Sequence, residues 1–158
     1  LFRRYFSKML NDYQLHEYQI RVRIAGQLDR FPPSLRKILI ALMKATNRYK
    51  KYQVNFALGY GGREELVGAT RQIAEDVKAG RLSPEKITEQ SITKYLSVQD
   101  EPEIVIRTGG QLRTSNFLPW QTIYSEWFFV KKPWPAFTKA DLKRILAQFR
   151  ARQRNFGA

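Results

Sequence analysis

Within the dozen residues Ile106–Phe117, IRTGGQLRTSNF, the chain sets two arginines six apart, a Gly-Gly pair between them and a Thr-Ser-Asn run after the second. A guanidinium is a planar fork of donors that fits phosphate oxygens bidentately. Hydroxyl and backbone N–H groups can complete such a cage, and glycine lets backbone approach a ligand without a Cβ in the way. Two arginines on one short loop therefore suit a doubly charged anion, and can clamp the two phosphates of a diphosphate. Arg107 and Arg113 are the candidate clamps; Thr114 and Ser115 are the candidate hydroxyl donors. Nine residues past Phe117, Glu126 stands among aromatics in WQTIYSEWFF. A carboxylate there is paired or protonated if buried. Beside a diphosphate it can instead help hold Mg2+, a hard cation bound through few carboxylates plus phosphate oxygens. The chain has neither a Walker lysine pattern nor G-x-G-x-x-G, so nucleotide loops of those kinds are excluded.

The elements that must position these residues can be read from spacing. Apolar residues at Phe2, Phe6, Met9, Leu10 and Tyr13 predict one helix through FRRYFSKMLNDYQLHEY. IRVRIA (Ile20–Ala25) alternates like a strand and ends at Gly26. PPSLRKILIALMKATNRY predicts a helix opened by proline. YQVNFAL (Tyr52–Leu58) predicts a strand running into GYGG, followed by a helix from Arg63 to Ala79 that stops at Gly80. Ser83, Pro84 and Glu85 predict the start of short helices reaching Leu96. EIVIR (Glu103–Arg107) is a strand feeding the arginine loop, WQTIYSE a helical turn, WFFV a strand, and Thr138 to Arg154 a basic helix. Strands separated by helices imply a parallel sheet, with ligands beyond the carboxyl ends of its strands. Both glycine-rich loops begin where a strand ends and are expected to open on one rim. The fold class is α/β, a parallel-sheet core with helices on both faces, in a single domain over 1–158.

Composition bounds the chemistry. The 158 residues are 43% hydrophobic and 13% aromatic, enough for a packed core. They contain no cysteine, which excludes disulfides and thiolate metal sites. The longest apolar run, ILIALM, is far short of the roughly 20 residues of a membrane span. Net charge is +14, distributed as two basic thirds around an acidic middle. Such a field favours nucleic acid, anionic lipid or phosphorylated small molecules. His16, the one histidine, is read as a bystander, and Trp120, Trp127 and Trp134 as core or interface residues.

IVIRTGGQLRTSNFLPWQTIYSEWFF resembles the signature segment of the cis-prenyltransferases, the undecaprenyl and dehydrodolichyl diphosphate synthase family: Ile-Arg-Thr-(Gly/Ser)-Gly-x-x-Arg-x-Ser-Asn-Phe-Leu-x-Trp-Gln, then Tyr-x-Glu. ALGYGGREEL resembles its Asn-Tyr-Gly-Gly-Arg hallmark, RVRIAGQLDRFP the strand and glycine before it, and PWPAF and RQRNFG its end. The resemblance implies that fold, and prenyl chain elongation: cis-condensation of isopentenyl diphosphate with an allylic diphosphate, giving a long-chain polyprenyl diphosphate and pyrophosphate. It implies that Arg107, Arg113 and Ser115 bind the diphosphate of isopentenyl diphosphate with Thr114 lining the site, and that Glu126 helps place Mg2+. It also implies a homodimer in the cytoplasm, with YSEWFF as an interface and a peripheral contact with the membrane.

Departures from the pattern set further expectations. His-x-x-x-Met-Asp-Gly-Asn and Phe-Ser-x-Glu-Asn-Trp, which carry the family's catalytic Asp and Asn, are absent from these 158 residues. The chain is therefore expected to be the carboxyl-terminal portion of a catalytic domain and inactive alone. Gly59 stands for the usual Asn, Gln111 for a frequent acid, Gln27 where Asp is common, and Asn155-Phe156-Gly157 where Arg-x-Gly is frequent. Two alternatives remain open: a non-catalytic partner subunit of a heteromeric cis-prenyltransferase, and a basic nucleic-acid-binding domain. The second lacks any recognisable helix-turn-helix, RNA-recognition or zinc-finger pattern.

Overall fold

The computed structural model describes residues 1–152. It groups the chain into two compact units, Leu1–Val98 and Gln99–Ala158, where the sequence reading drew one domain.

The first unit runs α1 (Phe2–Leu10), α2 (Tyr13–Glu17), β1 (Ile20–Ala25), α3 (Pro33–Thr46), β2 (Tyr52–Ala57), α4 (Gly62–Lys78) and α5 (Glu89–Lys94). The single helix expected at the start is two. Asp12 turns its carboxylate onto the Gln14 amide at 3.0 Å and caps a new helix, the competition with the backbone that Asp and Asn offer. β1 and β2 pair in parallel, Ile20 opposite Tyr52 through Ala25 opposite Ala57, with α3 as the crossover. Leu35, Leu39, Leu42 and Thr46 recur at three- and four-residue steps along α3, so one stripe of that helix is buried. The leucines join Phe6, Leu15 and Val22 in one apolar cluster, and Phe6 meets Phe56 of β2 edge-on at 5.3 Å. Thr46 is fully buried yet satisfied: its hydroxyl donates to the Leu42 carbonyl at 2.9 Å and accepts from the Val22 amide at 3.1 Å. That hydroxyl fixes the end of α3 to the middle of β1.

The second unit runs β3 (Ile104–Thr108), β4 (Glu126–Val130) and α6 (Lys139–Ala151). β3 and β4 are again parallel, Ile104 opposite Glu126 and Thr108 opposite Val130. The connection between them is a run of turns with no regular helix; within WQTIYSE the Thr122 amide donates to the Leu118 carbonyl at 3.0 Å and the Ser125 amide to the Thr122 carbonyl at 3.1 Å, single helical turns, and Glu126 itself opens β4. Val105, Leu118, Phe128 and Ile145 are its buried apolar residues. α6 starts on a reciprocal capping box between Thr138 and Asp141. Arg154 and Asn155-Phe156-Gly157 lie outside the described residues.

Candidate anion site

The arginine loop leaves the carboxyl end of β3, where a parallel sheet offers its ligand site. Gly109 and Gly110 take φ of +90° and +77°, a region other residues enter only with strain. A Cβ at Gly109 would meet nothing within 4 Å, so conformation and not crowding calls for glycine. The two amides are consumed within the fold: Gly109 N–H donates to the Lys132 carbonyl at 2.9 Å and Gly110 N–H to the Val130 carbonyl at 3.0 Å. Backbone N–H groups that complete the cage are therefore not these two, which bind the end of β4.

Beyond the glycines, Arg107 gathers the loop. Its Nη1 donates to the Ser115 hydroxyl at 3.0 Å and to the main-chain carbonyl of Arg113. Ser115, Asn116 and Leu118 all have φ between +45° and +62°, unusual for residues with a Cβ and costing about 1–3 kcal/mol each. Buried Leu118 and the Arg107 hydrogen bonds hold that strained backbone in place. Among the described residues no side chain pairs with the Arg113 guanidinium, and Arg113, Thr114 and Ser115 are all exposed. Three of the candidates, Arg107, Arg113 and Ser115, are thus joined by contacts in one loop, with Thr114 between the last two.

Glu126 is elsewhere. It opposes Ile104 at the amino end of the strand pair, three register steps or about 10 Å from the level of Arg107. Its part-buried carboxylate is ion-paired with Arg152, whose guanidinium also lies 4.1 Å over the Phe128 ring. Among the described residues no three His, Asp or Glu side chains gather as a metal cage. Glu126 offers one carboxylate, engaged by Arg152, and the chemistry of that donor suits a hard cation such as Mg2+ only if Arg152 is displaced.

The GYGG loop opens on the carboxyl end of its own sheet and borders a recess of about 160 Å3. Glu64 and Glu65, in the first turn of α4, each have specific partners. Glu64 accepts from Gln27 at 2.7 Å and Arg30 at 2.6 Å, and Glu65 from Tyr60 at 2.6 Å and the Ser97 amide at 2.8 Å. The two carboxylates lock the loops after β1 and β2 to α4. His16 bonds Tyr49 and the Leu10 carbonyl, a structural role consistent with the bystander reading.

A heavily bonded carboxylate in the second unit was not singled out from the sequence. Asp141, buried to 3% exposure, accepts from the Thr138 hydroxyl (2.7 Å) and amide (3.0 Å), from Lys132 on both oxygens, and from Arg144 (2.8 Å). The signal was the capping pattern TKAD, Thr138 to Asp141. The Thr138 hydroxyl first, then Lys132, hold its carboxyl far below the usual carboxylate range. Its stabilising contribution is therefore complete above the unfolded value near 3.8 and fades only as pH falls below that toward the lowered folded value. Protection of the amides in the first turn of α6, taken relative to their intrinsic exchange at each pH, is expected to hold steady from pH 7 to 5 and to fall only below about 4; in Asp141→Asn this step should vanish.

Comparison with known proteins now decides the lineage. Residues 1–157 match the prenyltransferase family model of undecaprenyl diphosphate synthase. The chain belongs to this family. It is 45% identical over 159 aligned residues to a tritrans,polycis-undecaprenyl-diphosphate synthase (geranylgeranyl-diphosphate specific) of Thermococcus kodakarensis, covering 99% of this chain and 60% of that protein. It is 42% identical to an isoprenyl transferase of Streptococcus pyogenes, over 90% of this chain and 60% of that one. Among solved structures it resembles lavandulyl diphosphate synthase from Lavandula x intermedia, crystallised with dimethylallyl diphosphate. The TM-score is 0.90 at 31% identity, over 99% of this chain and 70% of the other. The chain thus spans about 60% of the length of the curated relatives it matches. The α/β parallel-sheet fold and the family resemblance read from the sequence both stand.

Proposed function

We propose that this chain carries the isopentenyl diphosphate site of a cis-prenyltransferase. The carrying observation is the Arg107-centred loop, with Ser115 and an Arg113 that no side chain among the described residues pairs, presented at the end of a parallel strand in a member of this family. Arg107 and Arg113 bind the diphosphate as charge-assisted forks, and the Ser115 and Thr114 hydroxyls complete the contacts. Fixing the diphosphate fixes the double bond of the same molecule relative to an allylic diphosphate, the entropic part of the catalysis. A carbon–carbon bond then forms at the allylic carbon as its bond to diphosphate breaks; a proton is lost and pyrophosphate leaves. Glu126, released from Arg152, would be a carboxylate ligand for Mg2+, and the ion when bound supplies neutralising charge for the diphosphate.

The homodimer and the membrane contact belong to the same reading. Ile123, Tyr124 and Phe129 are exposed beside Glu126, and aromatic residues of this kind favour interfaces. No helix among the described residues is long and apolar enough to cross a membrane, so contact with lipid would be peripheral, drawn by the +14 charge.

Calorimetric titration with isopentenyl diphosphate and Mg2+, beside a short duplex DNA, tests the proposal. Saturable diphosphate binding with weak, salt-erased DNA binding is expected; tight DNA binding without diphosphate binding overturns it. The 158 residues alone are expected to bind the diphosphate and make no polyprenyl product from labelled substrate, because the family's Asp and Asn motifs are not among them. Product from the purified 158-residue chain would refute that expectation.

A further inference from the structure

Asp141 and Lys132 lie outside the anion loop, yet a continuous line of bonds connects them to it. The Lys132 ammonium reaches both Asp141 oxygens, at 2.9 and 3.0 Å, and the Lys132 main-chain carbonyl receives the Gly109 amide at 2.9 Å. One residue thus holds the buried carboxylate at the start of α6 with its side chain and the first residue of the arginine loop with its backbone. We propose that Asp141 is a positioning residue for the diphosphate loop, acting through Lys132 to fix where Gly109 and the Arg107–Ser115 cage stand. This rests on the diphosphate reading above.

Three features favour this over a plain helix cap. Capping needs only the Thr138 amide and hydroxyl, which engage a single oxygen of Asp141, Oδ2. Lys132 is half exposed, so water is available to its ammonium, yet it contacts both carboxylate oxygens. Between them runs PWPAF, Pro133 to Phe137, whose Trp134–Ala136 segment is a short 3-10 turn. The ion pair closes that excursion and returns α6 to the end of β4. The Lys132 carbonyl immediately precedes Pro133, so its orientation follows from how the excursion is closed. The Gly109 amide it holds is the point at which the backbone first turns left-handed.

The test compares four substitutions in the chain, with inorganic pyrophosphate as the calorimetric probe and hydrogen exchange of the Gly109 amide as the ligand-free readout. Asp141→Asn and Lys132→Met are both expected to quicken Gly109 exchange and weaken pyrophosphate binding. The expected weakening is roughly tenfold, the low end of what losing an outer partner of a binding group costs. Lys132→Arg should restore both. Arg144→Met also removes one positive partner of Asp141, but has no bond toward Gly109 and is expected to change neither readout. Lys132→Met leaves the capping box intact, so it reports even where Asp141→Asn fails to fold. Unchanged Gly109 exchange in Lys132→Met, or an equal change in Arg144→Met, overturns the proposal. If the unsubstituted chain binds no pyrophosphate, the diphosphate reading falls. The exchange rates still decide the link: faster exchange in Lys132→Met and not in Arg144→Met upholds the Asp141–Lys132 pair as what fixes the loop, and unchanged exchange in Lys132→Met refutes it.

Discussion

Replacing Arg107 with alanine is expected to weaken isopentenyl diphosphate binding by about 100-fold or more. Hydrogen bonds to charged groups contribute about 1.5–3 kcal/mol each, and a fork makes two. A second loss comes from the loop itself. Arg107 holds the Ser115 hydroxyl and the Arg113 carbonyl across a segment where Ser115, Asn116 and Leu118 sit at positive φ. Without that hold the strained backbone relaxes, and the ligand must reorder it before binding. Arg107→Ala should therefore both raise Kd and quicken amide exchange through residues 113–117. Arg113→Ala removes a guanidinium that no described side chain engages; it should weaken binding about tenfold while leaving loop exchange unchanged. Arg107→Lys keeps the charge and loses the fork, so it should fall between unsubstituted chain and alanine. Calorimetry with exchange on the three variants separates binding from pre-organisation. Equal loop exchange in Arg107→Ala and the unsubstituted chain would refute the second role, and unaltered affinity would refute the first.

What the sequence disclosed follows from how local each signal was. The strand ending at Arg107, the glycines and the hydroxyl run are contiguous, so their chemistry could be read in place. α3 was legible for the same reason, its apolar stripe recurring at helical spacing. Glu126 was visible as a carboxylate among aromatics, but not its position opposite Ile104, because strand register depends on two segments at once. Its pairing with Arg152 joins residues 26 apart. The break at Asp12 was open to reading, since Asn-Asp favours caps, but the apolar spacing on either side suggested continuity. Nothing in IRTGGQLRTSNF says that the end of β4 claims the Gly109 and Gly110 amides, because that partner lies about twenty residues on. Asp141 carried a local signal, the capping box, whose larger role depends on Lys132 nine residues earlier.

The largest expected effect on stability is at Gly26, which sits where β1 ends and the next loop crosses the end of β2. Its φ is +114°, beyond even the small left-handed region that L-residues tolerate. The chain is closely tied here, Leu58 N–H to the Ala25 carbonyl at 2.9 Å and Gln27 N–H to the Gly59 carbonyl. A Cβ at Gly26 would lie 2.2 Å from the Leu58 carbonyl oxygen and 3.0 Å from backbone atoms of Gly59 and Tyr60. None of these is a flexible side-chain end, so relief requires parting the two strand-end loops. Gly26→Ala is expected to destabilise the first unit by more than about 3 kcal/mol, lowering its thermal midpoint by over about 12 °C. Gly80→Ala supplies the comparison: φ is +70°, but a Cβ there meets nothing within 4 Å, so only the conformational cost of about 1 kcal/mol remains. Calorimetric unfolding of the two variants distinguishes crowding from φ. Similar small shifts would mean that the loops after β1 and β2 part easily. The Glu64 and Glu65 bonds that lock them to α4 would then be too weak to fix the rim on which GYGG opens.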